Sequence, residues 1–258
     1  MPRLNIGFMG GCISTQPGIE RKDLFYNKML HFFEETKTEV QFTISLGNYQ
    51  SFDTLNKKNS DFINKKDLDI VFLFIRPFPL MPLQKPFIKY DSANGSSKTA
   101  IHPSLLSRKL RWDRILTLHQ STSPYCEEIK RKKIALRDLN IGIGIVLGLH
   151  TWANRFILSK IIETKNLFKQ KKIKLFVISP PKNPESMMAN KICKWTTDYL
   201  KRQCLKQHIS YLDINKLSME CFKNDGIHFN QMGHYELGKI LYKELKKFIE
   251  QGSCITSS

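Results

Sequence analysis

The sequence has no C-x-x-C pair, although its 258 residues include six cysteines, Cys12, Cys126, Cys193, Cys204, Cys221 and Cys254. Scattered in this way they exclude a zinc-ribbon site and read as free thiols rather than a disulfide framework. Long apolar runs are lacking as well. The least charged window, Leu139 to Asn154, falls short of the ~20 apolar residues that span a bilayer. The opening MPRLNIGFMGG stops at a glycine turn before a secretory signal could form. A soluble, cytoplasmic protein is expected.

Acidic residues are scarce. The 41 Lys+Arg outnumber 23 Asp+Glu, a net charge of +18. Such an excess favours acidic partners: nucleic acid, anionic glycans, phosphorylated carriers or an anionic membrane surface. The basic residues come in short groups, KRKK from Lys130 to Lys133 and KQKKIK from Lys169 to Lys174. No helix-turn-helix or RNA-binding signature and no aromatic-interleaved basic tract accompanies them. A solvated lysine-rich surface is the simpler reading, and no specific nucleic-acid partner is expected. There is no P-loop, and GIGIVLG lacks both the preceding strand and the glycine spacing of a dinucleotide fingerprint. His102, His119, His150 and His208 have no metal-ligand spacing. No metal and no organic cofactor is implied.

What is present is an alternation of strand-like and helix-like segments, the pattern of a parallel sheet covered on both faces. LNIGFM is a buried strand ending in a glycine turn, EVQFTISLG a second strand ending at Gly47, and DLDIVFLFI a third. The third is almost uninterrupted in its apolar residues, as a central parallel strand should be. Between the first two, RKDLFYNKMLHFFEE places Leu24, Phe25, Met29, Leu30, Phe32 and Phe33 near helical spacing.

Regularity then fails. Arg76 to Pro86 holds four prolines, and KYDSANGSSKTAIHPS is a polar loop signal. A long connection of this kind usually serves as a lid or binding loop, so 77–138 is assigned as an insertion. Leu139 to Gln170 reads as one long helix, with Trp152, Phe156, Ile157, Ile161 and Ile162 at helical spacing; its glycine-containing start could also form a strand. KIKLFVIS and HISYLDI are further strands. Between them lies a helix whose inner face carries Ile192, Trp195, Tyr199 and Leu200, with Cys193 and Cys204 as packing residues. The terminal helix turns Leu237, Ile240, Leu241, Leu245 and Phe248 inward. The expected architecture is one domain over 1–252, a three-layer α/β/α flavodoxin-like parallel sheet, with a disordered tail at 253–258.

Chemistry concentrates in NDGIHFNQMGHYELG, Asn224 to Gly238. Asp225 and His228 stand three apart on a glycine-containing turn just before the last helix. That arrangement can present a carboxylate to one imidazole nitrogen while the other points at a third group, as a hydrolytic triad requires. At the other end of the chain, NIGFMGGCIST offers two nucleophiles, Cys12 and Ser14.

The block D-G-x-H-F-N-x-x-G-H leading into the last helix resembles the closing block of the SGNH hydrolase (GDSL esterase/lipase) superfamily, and the strand order resembles it over most of the chain. The resemblance implies that His228 is the base and Asp225 the acid that orients it, with His234 outside the triad as a structural or rim residue. It also implies that a Gly-Asp-Ser turn after the first strand supplies the nucleophile. Laid over that turn without gaps, the sequence puts Gly10 on the Gly, Gly11 on the Asp and Cys12 on the Ser. Position therefore favours Cys12 and residue type favours Ser14. A thiol near backbone N–H groups and a helix N-terminus has a lowered pKa, which also favours Cys12.

The family's oxyanion-binding asparagine is missing: Arg76-Pro77-Phe78-Pro79 follows the third strand. The backbone N–H groups of Cys12 and Gly47 could hold the oxyanion instead, with Asn48 or Arg76 as side-chain donor; Arg76 could alternatively clamp an anionic substrate. The implied activity is hydrolysis of an acyl ester, O-acetyl groups on carbohydrate or on an anionic substrate included. Acyl transfer on the same residues and a catalytically silent basic binding protein are the rival readings.

Overall fold

A computed structural model describes residues 3–10, 19–47, 60–64, 66–75, 87–91, 97–101, 131–180, 187–222 and 228–251. Its strands are β1 (Arg3–Met9), β2 (Gln41–Gly47), β3 (Ile70–Phe74), β4 (Phe87–Asp91), β5 (Ser97–Ile101), β6 (Lys174–Ile178) and β7 (Ser210–Leu212). Its α-helices are α1 (Phe25–Glu35), α2 (Arg131–Val146), α3 (Leu149–Gln170), α4 (Met187–Lys206) and α5 (Gln231–Glu250).

Five strands form one sheet in the order β2-β1-β3-β6-β7, every neighbouring pair parallel. This is the flavodoxin-like order, in which β1 and β3 flank the point where the winding reverses and ligands meet the carboxyl edge. The apolar run at the centre explains its own position. All five residues of β3 are buried, so neither face can meet water. Ile70, Phe72 and Phe74 enter one core cluster, while Val71 and Leu73 enter the other.

The first cluster lies under α1 and α5. There Phe8 stacks on Phe72 at 5.2 Å, Phe72 on Phe176 at 5.0 Å, and Phe25 meets Phe8 edge-on at 5.1 Å. Each fully buried ring contributes about 1.5–3 kcal/mol over its exposed state. Phe25, Met29 and Phe33 on α1 and Leu237, Leu241 and Leu245 on α5 are among the buried positions, at helical spacing as expected. The second cluster lies under α3 and α4 through Ile157, Ile161, Phe168, Leu200 and Cys204. The three-layer α/β/α architecture follows.

Three readings of the sequence need correction. The segment read as one helix from Leu139 to Gln170 is two helices, α2 and α3, broken at Gly148, whose φ of +70° lies in the left-handed region that only glycine adopts freely. The span read as a polar loop contains an antiparallel hairpin, β4 with β5. Its strands flank Asn94-Gly95, a hairpin dipeptide whose signal the surrounding serines obscured. Finally, Trp195, expected on the inner face of its helix, does not face the core: it is 37% exposed, and Trp152 on α3 is 50% exposed. The Trp195 ring lies beside His150 at 5.8 Å and beneath the Lys191 ammonium at 5.2 Å, and Trp152 stacks on Phe156 at 5.6 Å.

Cys193 and Cys204 are packing residues as expected. Both are buried, and desolvation pushes each thiol up to about 12. No helix among the described residues is long and apolar enough to cross a membrane, and no group of three or more His, Cys, Asp or Glu among them could hold a metal ion.

Candidate active site

The carboxyl edge of the sheet gathers the chain segments that carry the predicted chemistry. β1 ends at Met9, in register with Gly47 at the end of β2. Gly10 then donates its N–H to the Gly47 carbonyl at 3.3 Å, so the two glycine ends are tied together where the chain leaves the sheet. Glycine is needed at position 10 for space: a Cβ there would come within 2.7 Å of Phe74 Cβ at the end of β3. On the far side, Ile75 continues β3 by donating its N–H to the Ile178 carbonyl at 2.9 Å.

β6 and β7 are locked at the same edge by Ser179. This buried hydroxyl accepts from the Ile214 N–H at 3.0 Å and from Asn215 Nδ2 at 3.3 Å, and Asn215 Nδ2 also donates to Thr197 Oγ1 on α4 at 2.7 Å. No sequence signal marks this clasp, because a serine after a strand is commonplace.

The turn before α5 is built around Asn230. Its Oδ1 accepts the Gly233 N–H at 2.9 Å, capping the helix, while its Nδ2 donates to the carbonyls of Glu220 and Phe222. The Asn230 N–H bonds the Cys221 carbonyl at 3.1 Å, and Phe222 bridges Phe229. Phe229 is wholly buried, 5.1 Å from the Phe222 ring and 5.8 Å from the His234 ring. These contacts anchor His228, which is itself buried at 6% exposure. Gly233 is needed for space as well: a methyl group there would run into the Cys221 carbonyl.

His234 is a structural residue. Its ring is fully buried and lies parallel to Phe25 at 5.9 Å, and Nδ1 accepts the Phe25 N–H at 3.3 Å. That N–H opens α1, which has no side-chain cap from Leu24, so His234 supplies the missing acceptor from another helix. Asp23 adds a second tie. It pairs with Lys28 at 2.7 Å, and its carboxyl is held below the usual carboxylate range, chiefly by the hydrogen bond from Lys28, against desolvation and with help from the Gln231 side chain. The starts of α1 and α5 are thus fastened side by side at the carboxyl edge. His228 lies six residues ahead of His234 on that edge.

Of the residues singled out from the sequence, Gly47 and His228 lie in described parts of the chain, at the end of β2 and just before α5. Gly11, Cys12, Ser14, Asn48, Arg76 and Asp225 lie outside the described residues. The flanking positions Gly10, Gly47, Ile75 and His228 belong to segments that the fold brings to one edge.

No family model matches the chain, and no curated protein matches its sequence. Solved structures do. An acetyl xylan esterase, AlAXEase, superposes with a TM-score of 0.55 at 11% identity, covering 94% of this chain and all of that one. A catalytic mutant of Axe2, an acetylxylan esterase from Geobacillus stearothermophilus, gives 0.55 at 11% identity over 94% of each chain. The psychrotrophic esterase EstA from Pseudoalteromonas sp. gives 0.52 at 8% identity, over 95% of this chain and 98% of that one. At such identities the similarity is one of fold.

Proposed function

Because the chain has the fold of the SGNH hydrolases, we propose that it hydrolyses an acyl ester at the carboxyl edge of its sheet. Cys12 is the nucleophile of choice and Ser14 the alternative, with His228 as base and Asp225 as the acid that orients it. His228 takes the proton from the thiol or hydroxyl as sulfur or oxygen attacks the acyl carbonyl. The carbonyl π electrons move onto oxygen, which backbone N–H groups of Cys12 and Gly47 receive, with Asn48 or Arg76 as side-chain donor. Collapse of this intermediate breaks the ester C–O bond, and His228 returns the proton to the leaving alcohol. Water, deprotonated by His228, then releases the acid and restores the nucleophile.

One observation carries this reading. His228, the histidine singled out by the D-G-x-H-F-N block, is buried just before α5, next to the Phe222–Phe229 bridge and the Asn230 cap. Two of the similar structures are acetylxylan esterases, so O-acetylated carbohydrate is the first substrate class to assay, and the basic surface suits an anionic one.

The test is labelling at neutral pH with a fluorophosphonate and, separately, with iodoacetamide, followed by peptide mapping. The buried thiols of Cys193 and Cys204, pushed up to about 12, are protonated and should stay unmodified. Rapid modification at Cys12, or fluorophosphonate attachment at Ser14, supports the proposal. Modification at neither residue in active-ester conditions contradicts it.

A further inference from the structure

A cleft lies at the opposite edge of the sheet. It has a volume of about 380 Å³ and opens between the starts of the strands and the ends of α3 and α4. Its walls carry Lys165, Lys169, Lys172, Lys174 and His208, against one carboxylate, Asp69. Asp69 Oδ2 accepts the Asn5 N–H at 2.7 Å. The floor is apolar, with Leu4, Leu175 and Ile209 buried and Phe248 at the side.

The wall is held in shape by the backbone. α3 and α4 both end in a paired 6→1 and 5→2 hydrogen-bond closure. Ile173 N–H reaches the Phe168 carbonyl at 3.0 Å and Ile209 N–H the Cys204 carbonyl at 2.9 Å, with Lys172 and His208 in the left-handed conformation at φ of 58° and 52°. The two helix ends therefore turn the same way and present Lys172 and His208 to one cleft. Lys165 Nζ crosses between them to the Gln207 carbonyl at 2.6 Å. Lys169 and Lys172 have no carboxylate partner among the described residues.

We propose that this cleft binds a small organic phosphate, a ligand with a multiply charged phosphate group and an apolar or aromatic body such as a nucleotide. Each part of the cleft selects one part of that ligand. Lysine ammonium groups are point charges with three donors each, which suit tetrahedral phosphate oxygens and lack the planar fork that arginine offers a carboxylate. An apolar floor gains nothing from bare phosphate or from a nucleic-acid backbone, but it removes a base or other flat body from water. The volume lies within the roughly 300–1,000 Å³ of small-molecule sites. A polyanion of many phosphates calls instead for an open stripe of charge. The site is separate from the candidate active site: β1 runs from one edge to the other, and Leu4 to Met9 spans roughly 17 Å at about 3.3 Å per residue.

Titration calorimetry of the full chain at near-physiological salt tests this with ATP, pyrophosphate and a 20-mer oligo-dT as probes. ATP is expected to bind one site per chain, about tenfold or more tighter than pyrophosphate, and the double variant Lys169→Gln/Lys172→Asn should weaken it at least about tenfold, the loss of one or two charge-assisted hydrogen bonds. Asparagine tolerates the left-handed backbone at 172, and a thermal melt checks that the variant is folded. The control Lys191→Gln/Lys194→Gln removes equal charge near the far end of α4, about 18 Å from its last residue at 1.5 Å per residue, and should leave ATP binding unchanged. Absence of stoichiometric ATP binding overturns the proposal. So does equal weakening by both double variants, which would mean diffuse charge attraction, or a preference for pyrophosphate or oligo-dT over ATP. Ester hydrolysis is not read in any arm, so the outcome is independent of the proposed activity.

Discussion

His234 on α5 accepts the first backbone N–H of α1, that of Phe25, at 3.3 Å, with the two rings parallel at 5.9 Å. One imidazole thereby caps one helix and joins it to another 209 positions away in the chain. His234→Ala should lower unfolding free energy by about 1–3 kcal/mol, since it leaves a buried N–H without an acceptor and opens a cavity beside Phe25. Urea denaturation at pH 7 measures this. An unchanged midpoint would mean that water or a neighbour replaces the cap.

Gly233 sits against the Cys221 carbonyl, inside the turn that holds His228. Gly233→Ala should destabilise by about 1–3 kcal/mol through overpacking and should lower turnover, because the turn must open to admit the methyl group. Thermal melts and ester assays on the same preparation check both effects. A stable and fully active variant would show that the turn has slack.

The Asp23–Lys28 pair predicts a pH dependence with a definite sign. The folded carboxyl titrates below its unfolded value, so its contribution is complete above the unfolded pKa of about 3.9 and is lost as pH falls through the lower folded value. Asp23→Asn should therefore be less stable than wild type at pH 7, and the difference should shrink below about pH 4. Urea midpoints of the two proteins at pH 7 and pH 3 decide the matter; a gap that persists undiminished in acid contradicts the assignment.

The sheet was legible because its strands announce themselves. The uninterrupted DIVFLFI can only be central, and Leu237, Leu241 and Leu245 mark one face of a helix that must cover it. The hairpin β4–β5 was hidden by polar residues, and the α2–α3 break by Gly148, whose left-handed backbone is a matter of geometry rather than hydropathy. Trp195 was misplaced because aromatic spacing on α4 cannot tell a core position from a rim position where a ring rests on His150.

The site was legible in part. The letters D-G-x-H-F-N point to His228, and the structure explains the last two: Phe229 is a buried anchor and Asn230 a helix cap. An asparagine just before a helical segment is itself an N-cap signal. The capping of α1 by His234 and the Ser179 clasp were not legible, since each depends on a partner that only the tertiary fold supplies. The lysine cleft was visible only as the run KQKKIK, whose partner across the groove, His208, belongs to a different helix end.

The central claim is that His228 serves a nucleophile at the Gly10 turn in cleaving an ester. Its most direct test is the kcat for hydrolysis of an O-acetyl ester by wild type and by His228→Ala, Cys12→Ala and Ser14→Ala, each first shown to be folded by its melting transition. The account predicts turnover by wild type, a fall of about 10³-fold or more for His228→Ala and for Cys12→Ala, and most of the activity kept by Ser14→Ala. The reverse pattern for the last two would move the nucleophile to Ser14. A folded His228→Ala with wild-type kcat, or a wild type inactive on esters and thioesters alike, would contradict the claim.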